Sequence, residues 1–159
     1  MNYGHSLEFG TFVTPVSASP EVPVALARRS EELGFDLVTF QDHPYMPTLL
    51  DTWTLLSWVA GRTERIHLAG NVLNVPLRSP AVLARSAAGL DLLSGGRLDL
   101  ALGAGAYWDA IAAMGGPRLT PGRAVDALAE AIEVIRGMLD TGKTAPLSHA
   151  GDHYHLGGV

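Results

Sequence analysis

Cysteine is absent from the 159-residue sequence, which excludes disulfides, thiolate metal sites and thiol nucleophiles. Apolar runs are short. None approaches the roughly 20 residues needed to span a bilayer, so no membrane partner is expected. Clustered positive charge is also scarce: the formal net charge is -5, and only Arg28-Arg29 are adjacent bases, on a helical pattern. A surface that tracks nucleic-acid phosphates would show such clusters, so none is expected here. There is no Gly-x-Ser-x-Gly elbow and no nucleophile beside His43 in sequence, which leaves a hydrolase triad without support. The opening Met1-Asn2-Tyr3-Gly4-His5-Ser6 lacks a basic-then-apolar signal pattern, and a cytoplasmic location is the expectation.

What is present is a soluble globular balance of apolar and charged residues, enough chain for about one domain. Strand and helix patterns alternate along it. Leu7 to Val13 reads as a strand closed by Pro15 and Pro20, with Pro23 in the first turn of a helix that Gly34 stops. Phe35 to Phe40 is the second strand, and Asp51-Thr52-Trp53 opens a helix that runs to Gly61. Ile66 to Val72 is the third strand, followed by Ser79-Pro80 as a cap and first helical position. After the turn Ser94-Gly95-Gly96, a fourth strand covers Leu98 to Gly103, and Thr120-Pro121 starts a fourth helix through Leu139. Residues 145–159 read as a hairpin turning at Gly151-Asp152.

Strand starts recur about every 30 residues, the length of one strand-helix unit in an eight-unit barrel of roughly 250 residues. Four units make half of such a barrel. An open doubly wound sheet alternates in the same way but is expected to carry a Gly-rich phosphate loop after its first strand, where this chain has Thr14-Pro15-Val16-Ser17.

In sheets of this kind, ligands bind beyond the carboxyl ends of the strands. Asp42-His43 stands there, just past the second strand and ahead of Pro44-Tyr45-Met46-Pro47. Histidine can give or take a proton near neutral pH, so the pair is a candidate active site. The alternative is that Asp42 caps the next turn and His43 is an ordinary loop histidine. Gly103-Ala104-Gly105 after the fourth strand would let backbone N-H groups approach an anion, or would simply form a tight turn. Gly70-Asn71-Val72-Leu73 suggests either a bulge with close ligand approach or a plain strand end. His153 and His155 would share a face if both lay on a strand, but no third ligand stands at a recognisable spacing, so no metal site is expected. Trp53 and Trp58 lie on the second helix, where a core or helix-helix role is expected.

Several segments, in order, resemble the bacterial luciferase-like superfamily of flavin-dependent oxidoreductases, nearly end to end. They are Glu31-Glu32-Leu33-Gly34-Phe35-Asp36, Asp42-His43, Asp51-Thr52-Trp53, Arg78-Ser79-Pro80-Ala81, Leu90 to Arg97, Gly103-Ala104-Gly105 and Gly151-Asp152-His153-Tyr154. The resemblance implies an α/β fold of the eight-stranded TIM-barrel type, with residues 1–159 as its amino-terminal half and 145–159 as a hairpin insertion. It implies coenzyme F-420, a deazaflavin, or FMN bound at the carboxyl ends of the strands. Asp-His after the second strand looks like the deazaflavin branch, and the alternative is an FMN-dependent monooxygenase.

By the same resemblance, His43 is the proton donor or acceptor and Asp42 lies beside the deazaflavin. A non-proline cis peptide that supports the ring maps onto Asn71-Val72, and Gly103, Ala104 and Gly105 map onto the phosphate-side loop. Ala106 departs from the glutamate of some deazaflavin dehydrogenases, which points away from sugar phosphates towards another small organic substrate. Family barrels are about twice this length. The chain is therefore expected to be a fragment or half that pairs with a second copy or a complementary half, or else a non-catalytic flavin-binding or assembly remnant. The second and third helices, with Trp53, Trp58, Leu83 and Leu90, are expected to add a dimer surface.

Overall fold

The computed structural model describes residues 4, 6–142 and 144–159. Residues 1–3 and 5, within the stretch read above for a signal pattern, lie outside the described residues. In chain order the elements are β1 (Gly10–Val13), α1 (Glu21–Glu32), β2 (Leu37–Phe40), α2 (Thr52–Ala60), β3 (His67–Gly70) and β4 (Leu73–Asn74). A single 3-10 turn, Val75–Leu77, precedes α3 (Pro80–Ser94), β5 (Leu98–Asp99), β6 (Leu102–Gly103), α4 (Trp108–Ala113), α5 (Pro121–Leu139), β7 (Ser148–Ala150) and β8 (His155–Gly157). Among the described residues no helix is long and apolar enough to cross a membrane. The chain divides into two compact units: residues 1–73 with 93–101, and residues 74–92 with 102–159.

The first unit is built on a parallel sheet in the order β1-β2-β3-β5. Its register places Thr11 beside Val38, Val38 beside Leu68, and Leu68 beside Leu98. Successive side chains on a strand alternate between faces. The Thr11 row faces α1, because the Thr11 and Ser30 hydroxyls are 2.8 Å apart and Ser30 is buried on that helix. Val13, Val38, Phe40 and Leu68 lie on this face with Ala27, Leu55, Leu56 and Val59, and form the core. The opposite face holds Phe12, Leu37 and Ala69 alongside Thr39, His67 and Asp99, with His67 Nδ1 3.1 Å from Asp99 Oδ2. That face is thus a mixed apolar and polar one.

The helix starts follow local chemistry. Asp51 accepts a hydrogen bond from the Thr54 amide at 2.8 Å and caps α2. Pro80 and Pro121 take the first positions of α3 and α5, where a missing N-H costs nothing. Gly95 and Gly96 both have positive φ, which halts α3.

Two charged side chains close gaps that strands and helices leave open. Arg97 is buried: its Nη1 donates to Thr63 Oγ1 and the Ile66 carbonyl, each at 3.0 Å. Its Nη2 donates to the carbonyls of Ala60 at 2.8 Å and Thr63 at 3.1 Å, and Nε to that of Ser94 at 2.8 Å. Glu31, at the end of α1, accepts three backbone N-H bonds at one oxygen, from Glu64, Arg65 and Ile66. Burial works to raise its pKa, but these bonds and the Arg65 charge outweigh it and hold the carboxyl below its ordinary value.

In the second unit, α5 buries Ala124, Ala127, Ala131, Val134 and Ile135 along one stripe. The antiparallel hairpin β7-β8 turns where expected, with Ala150 opposite His155. Glu130 on α5 accepts the His153 amide at 3.0 Å and the Tyr154 amide at 2.8 Å, and its Oε1 lies 3.0 Å from His149 Nε2.

Several sequence expectations are corrected. The first strand starts at Gly10 rather than Leu7, because Phe9 is instead tied to Asp36, whose Oδ2 accepts its amide at 2.8 Å. The strand expected over Leu98 to Gly103 breaks at Leu100-Ala101 into β5 and β6. Helix α4 was not foreseen, since no capping side chain announces it and Tyr107 makes no cap bond. His153 falls in the hairpin turn, so it shares no strand face with His155. Trp58 is 55% exposed, with the Arg62 guanidinium 3.6 Å over its ring, and is not a core residue. Leu83 and Leu90 are buried and cannot line the expected dimer surface.

Candidate active site

At the carboxyl end of β2 the chain leaves the sheet through Gln41 and enters Asp42-His43. Two bonds fix this exit. Thr52 Oγ1 donates to the Gln41 carbonyl at 2.6 Å, and the Asn71 amide donates to the Phe40 carbonyl at 2.7 Å. The second bond sets Asn71-Val72, just past β3, beside the strand end that leads to Asp42 and His43. Asp42 is buried and His43 half-buried. The N-cap of α2 is Asp51.

The peptide Asn71-Val72 is cis, as the resemblance implied. Both residues are exposed, Val72 to 42%. A Cβ on Gly70 before them would come within 2.7 Å of Leu73 Cδ2, so the buried Leu73 side chain would have to move. The imidazole of His43 is engaged by Tyr45, with Nδ1 and the phenolic oxygen 2.8 Å apart. Tyr45 was not singled out by sequence; its spacing from His43 was the only signal.

Gly103, Ala104 and Gly105 lie in the second unit, at and just beyond β6, and are all half-buried. Gly105 has φ +89°, and a Cβ on it would come within 2.9 Å of both Ile111 Cδ1 and Pro76 Cγ. Its small size is therefore already required by packing inside its own unit.

A cavity of about 700 Å³ in the first unit opens between α1 and α2, lined by Val24, Leu50, Leu55, Trp58 and others. No candidate residue lines it. Among the described residues no group of three or more His, Asp or Glu side chains could hold a metal ion.

A parallel sheet flanked by helices, with an acid-histidine pair and a neighbouring strand end at its carboxyl edge, is the arrangement that strand-helix units take in a β/α barrel. The chain belongs to the luciferase-like monooxygenase family, whose profile matches residues 1–159. It is 32% identical over 158 residues to an F420-dependent glucose-6-phosphate dehydrogenase of Amycolatopsis mediterranei, covering 94% of this chain and 46% of that protein. Among solved structures, an F420-dependent secondary alcohol dehydrogenase in complex with an F420-acetone adduct superposes with a TM-score of 0.86 at 23% identity, over 98% of this chain and 48% of the other. The oxygenating constituent of 3,6-diketocamphane monooxygenase of Pseudomonas putida, in complex with FMN, gives 0.81 at 22% identity, over 96% and 43%. These likenesses show the luciferase-like barrel fold. The chain spans about half the length of the curated relatives it matches.

Proposed function

We propose that this chain belongs to an oxidoreductase that transfers a hydride between the deazaflavin coenzyme F-420 and a small organic substrate. The observation that supports it is the junction of two strand ends, Asp42-His43 after β2 and Asn71-Val72 after β3, joined by the Asn71 amide on the Phe40 carbonyl. The residues there suit a flat heterocycle with a polar rim. Val72 offers an exposed apolar side chain, Asn71 an exposed amide, and Asp42 a carboxyl set one residue before the histidine. When bound, the deazaflavin supplies the carbon that gives or takes the hydride.

His43 handles the matching proton. In the oxidative direction it accepts the proton that the substrate loses as the hydride leaves, and in the reductive direction it returns it. Asp42 and Asn71 orient, and Gly103, Ala104 and Gly105 keep the proposed role of backbone N-H donors to a phosphate. Ala106 offers no acid, which favours a substrate other than a sugar phosphate. The reading includes pairing with a second copy or a complementary half.

The test is titration of the protein with F-420 and with FMN, followed by absorbance and fluorescence. The deazaflavin should bind, with FMN a poor competitor. Tight FMN binding with no response to the deazaflavin would replace this reading by an FMN-dependent monooxygenase. Binding without turnover of any substrate would favour a non-catalytic remnant.

A further inference from the structure

We infer that Tyr45 is a positioning residue for His43, accepting a hydrogen bond from Nδ1-H and so confining proton exchange to Nε2. The inference rests on the reading of His43 as the proton-exchanging residue.

The local sequence builds the contact. The Met46 amide donates to the His43 carbonyl at 2.9 Å, so His43-Pro44-Tyr45-Met46 is a four-residue turn. Proline suits the second position of such a turn because its ring presets φ. Tyr45 then takes the third position and comes back towards the residue that opens the turn. The rings meet with centroids 5.5 Å apart at 41°, and Nδ1 lies 2.8 Å from the phenolic oxygen. Both residues are half-buried, which shelters the bond from competing water.

The chemistry follows from what each partner can do. A neutral imidazole carries its proton on one nitrogen, chosen by the partner of the other. A tyrosine hydroxyl can accept as well as donate, and it remains neutral well above neutral pH. With Nδ1-H donating to Tyr45, the bond is the same whether His43 is imidazole or imidazolium, because only the Nε2 proton differs between them. His43 then gains or loses a proton without turning its ring or breaking its support. A carboxylate at the same place would instead favour the imidazolium strongly and make the proton harder to release. Tyrosine orients the ring without adding a charge.

The experiment uses the full chain labelled with nitrogen-15, and reads the two ring nitrogens of His43 by long-range proton-nitrogen correlation from pH 6 to pH 9. His43→Gln assigns the signals, and the other histidines report folding. In the unmodified protein Nδ1 should be protonated and Nε2 bare once the ring is neutral. Tyr45→Phe should shift the population towards the Nε2-H tautomer that an unconstrained histidine side chain prefers. A neutral ring with Nε2 protonated, or a tautomer population unchanged by Tyr45→Phe, would overturn the inference. The measurement needs neither cofactor nor turnover, so it fails separately from the functional reading. Loss of function is the second readout: in a preparation that turns over, Tyr45→Phe should lower kcat on the order of 10- to 100-fold with little change in KM, the scale seen when a metal-bound histidine loses the partner that orients it. Full activity in His43→Gln would remove the functional reading and leave the tautomer result standing.

Discussion

Gly151 lies so close to Glu130 that a Cβ built on it would overlap the carboxylate oxygen Oε1. The same oxygen accepts the Tyr154 amide and lies by His149 Nε2, while Oε2 accepts the His153 amide. Burial acts to raise the Glu130 pKa, and these bonds with the His149 charge lower it overall. One glycine and one acid thus hold the hairpin on α5.

Gly151→Ala should displace the carboxylate and loosen those bonds. The bonds are part-buried, so the loss should fall towards the low end of the roughly 1–3 kcal/mol that a buried unmet partner costs. Amide exchange at His153 and Tyr154 should accelerate. Unchanged protection at both amides would show that Glu130 is not what fastens the turn.

Arg97→Ala should be the most damaging single change in the first unit. It would strip hydrogen bonds from the carbonyls of Ala60, Thr63, Ile66 and Ser94. A loss of about 3 kcal/mol or more in urea unfolding is expected, from several buried acceptors left without a donor. Lysine should rescue little, since a point charge cannot reproduce the planar fork. A loss within about 0.5 kcal/mol, typical of surface changes, would contradict this.

Acid should weaken the protein partly through Glu31. Its folded pKa is lowered, so the carboxylate contributes stability above its unfolded value, and that contribution is lost as pH falls through the folded value. Glu31→Gln should destabilise at neutral pH and flatten the acid limb of a stability-against-pH curve. Parallel curves for the two proteins would count against the three-amide cradle.

His43→Ala should lower turnover by about 10²–10⁴-fold, the range for removing a positioned general acid or base, with cofactor affinity largely kept. Equal rates would return His43 to an ordinary loop residue.

The chain should associate in solution. Leu7, Phe9 and Phe12, on and before the edge strand β1, are all more than half exposed, and an exposed apolar edge invites pairing. Sedimentation giving one species of 16.8 kDa would refute this.

Much of this architecture could be read in advance because its signals are local. Asp51, Pro80 and Pro121 mark helix starts by bonds made, or not needed, within one turn of themselves. The break of the strand at Leu100-Ala101 was hidden, because an apolar run looks the same whether one neighbour or two pair with it. Glu31 and Arg97 sat within recognisable segments, yet their work could not be inferred, since all the amides on Glu31 and, apart from Ser94, the acceptors of Arg97 lie more than 30 residues away in the chain. In the sequence, Gly103-Ala104-Gly105 fits either an approach of backbone N-H groups to an anion or a tight turn. Ile111 and Pro76 already press on the space beside Gly105, which only packing could reveal, so a bulky residue there would disturb the loop before it tested any phosphate site.

The reach of Arg97 also bears on how the chain matures during synthesis. The carbonyl of Ala60 at the end of α2, with those of Thr63 and Ile66, receives its guanidinium donors only from a residue 31 to 37 positions later. A nascent chain that has emerged through β3 but not yet through residue 97 holds the end of that helix without its lock. Until residue 97 has emerged, the carbonyls at the corner joining α2 to β3 have only water to satisfy them in place of the guanidinium.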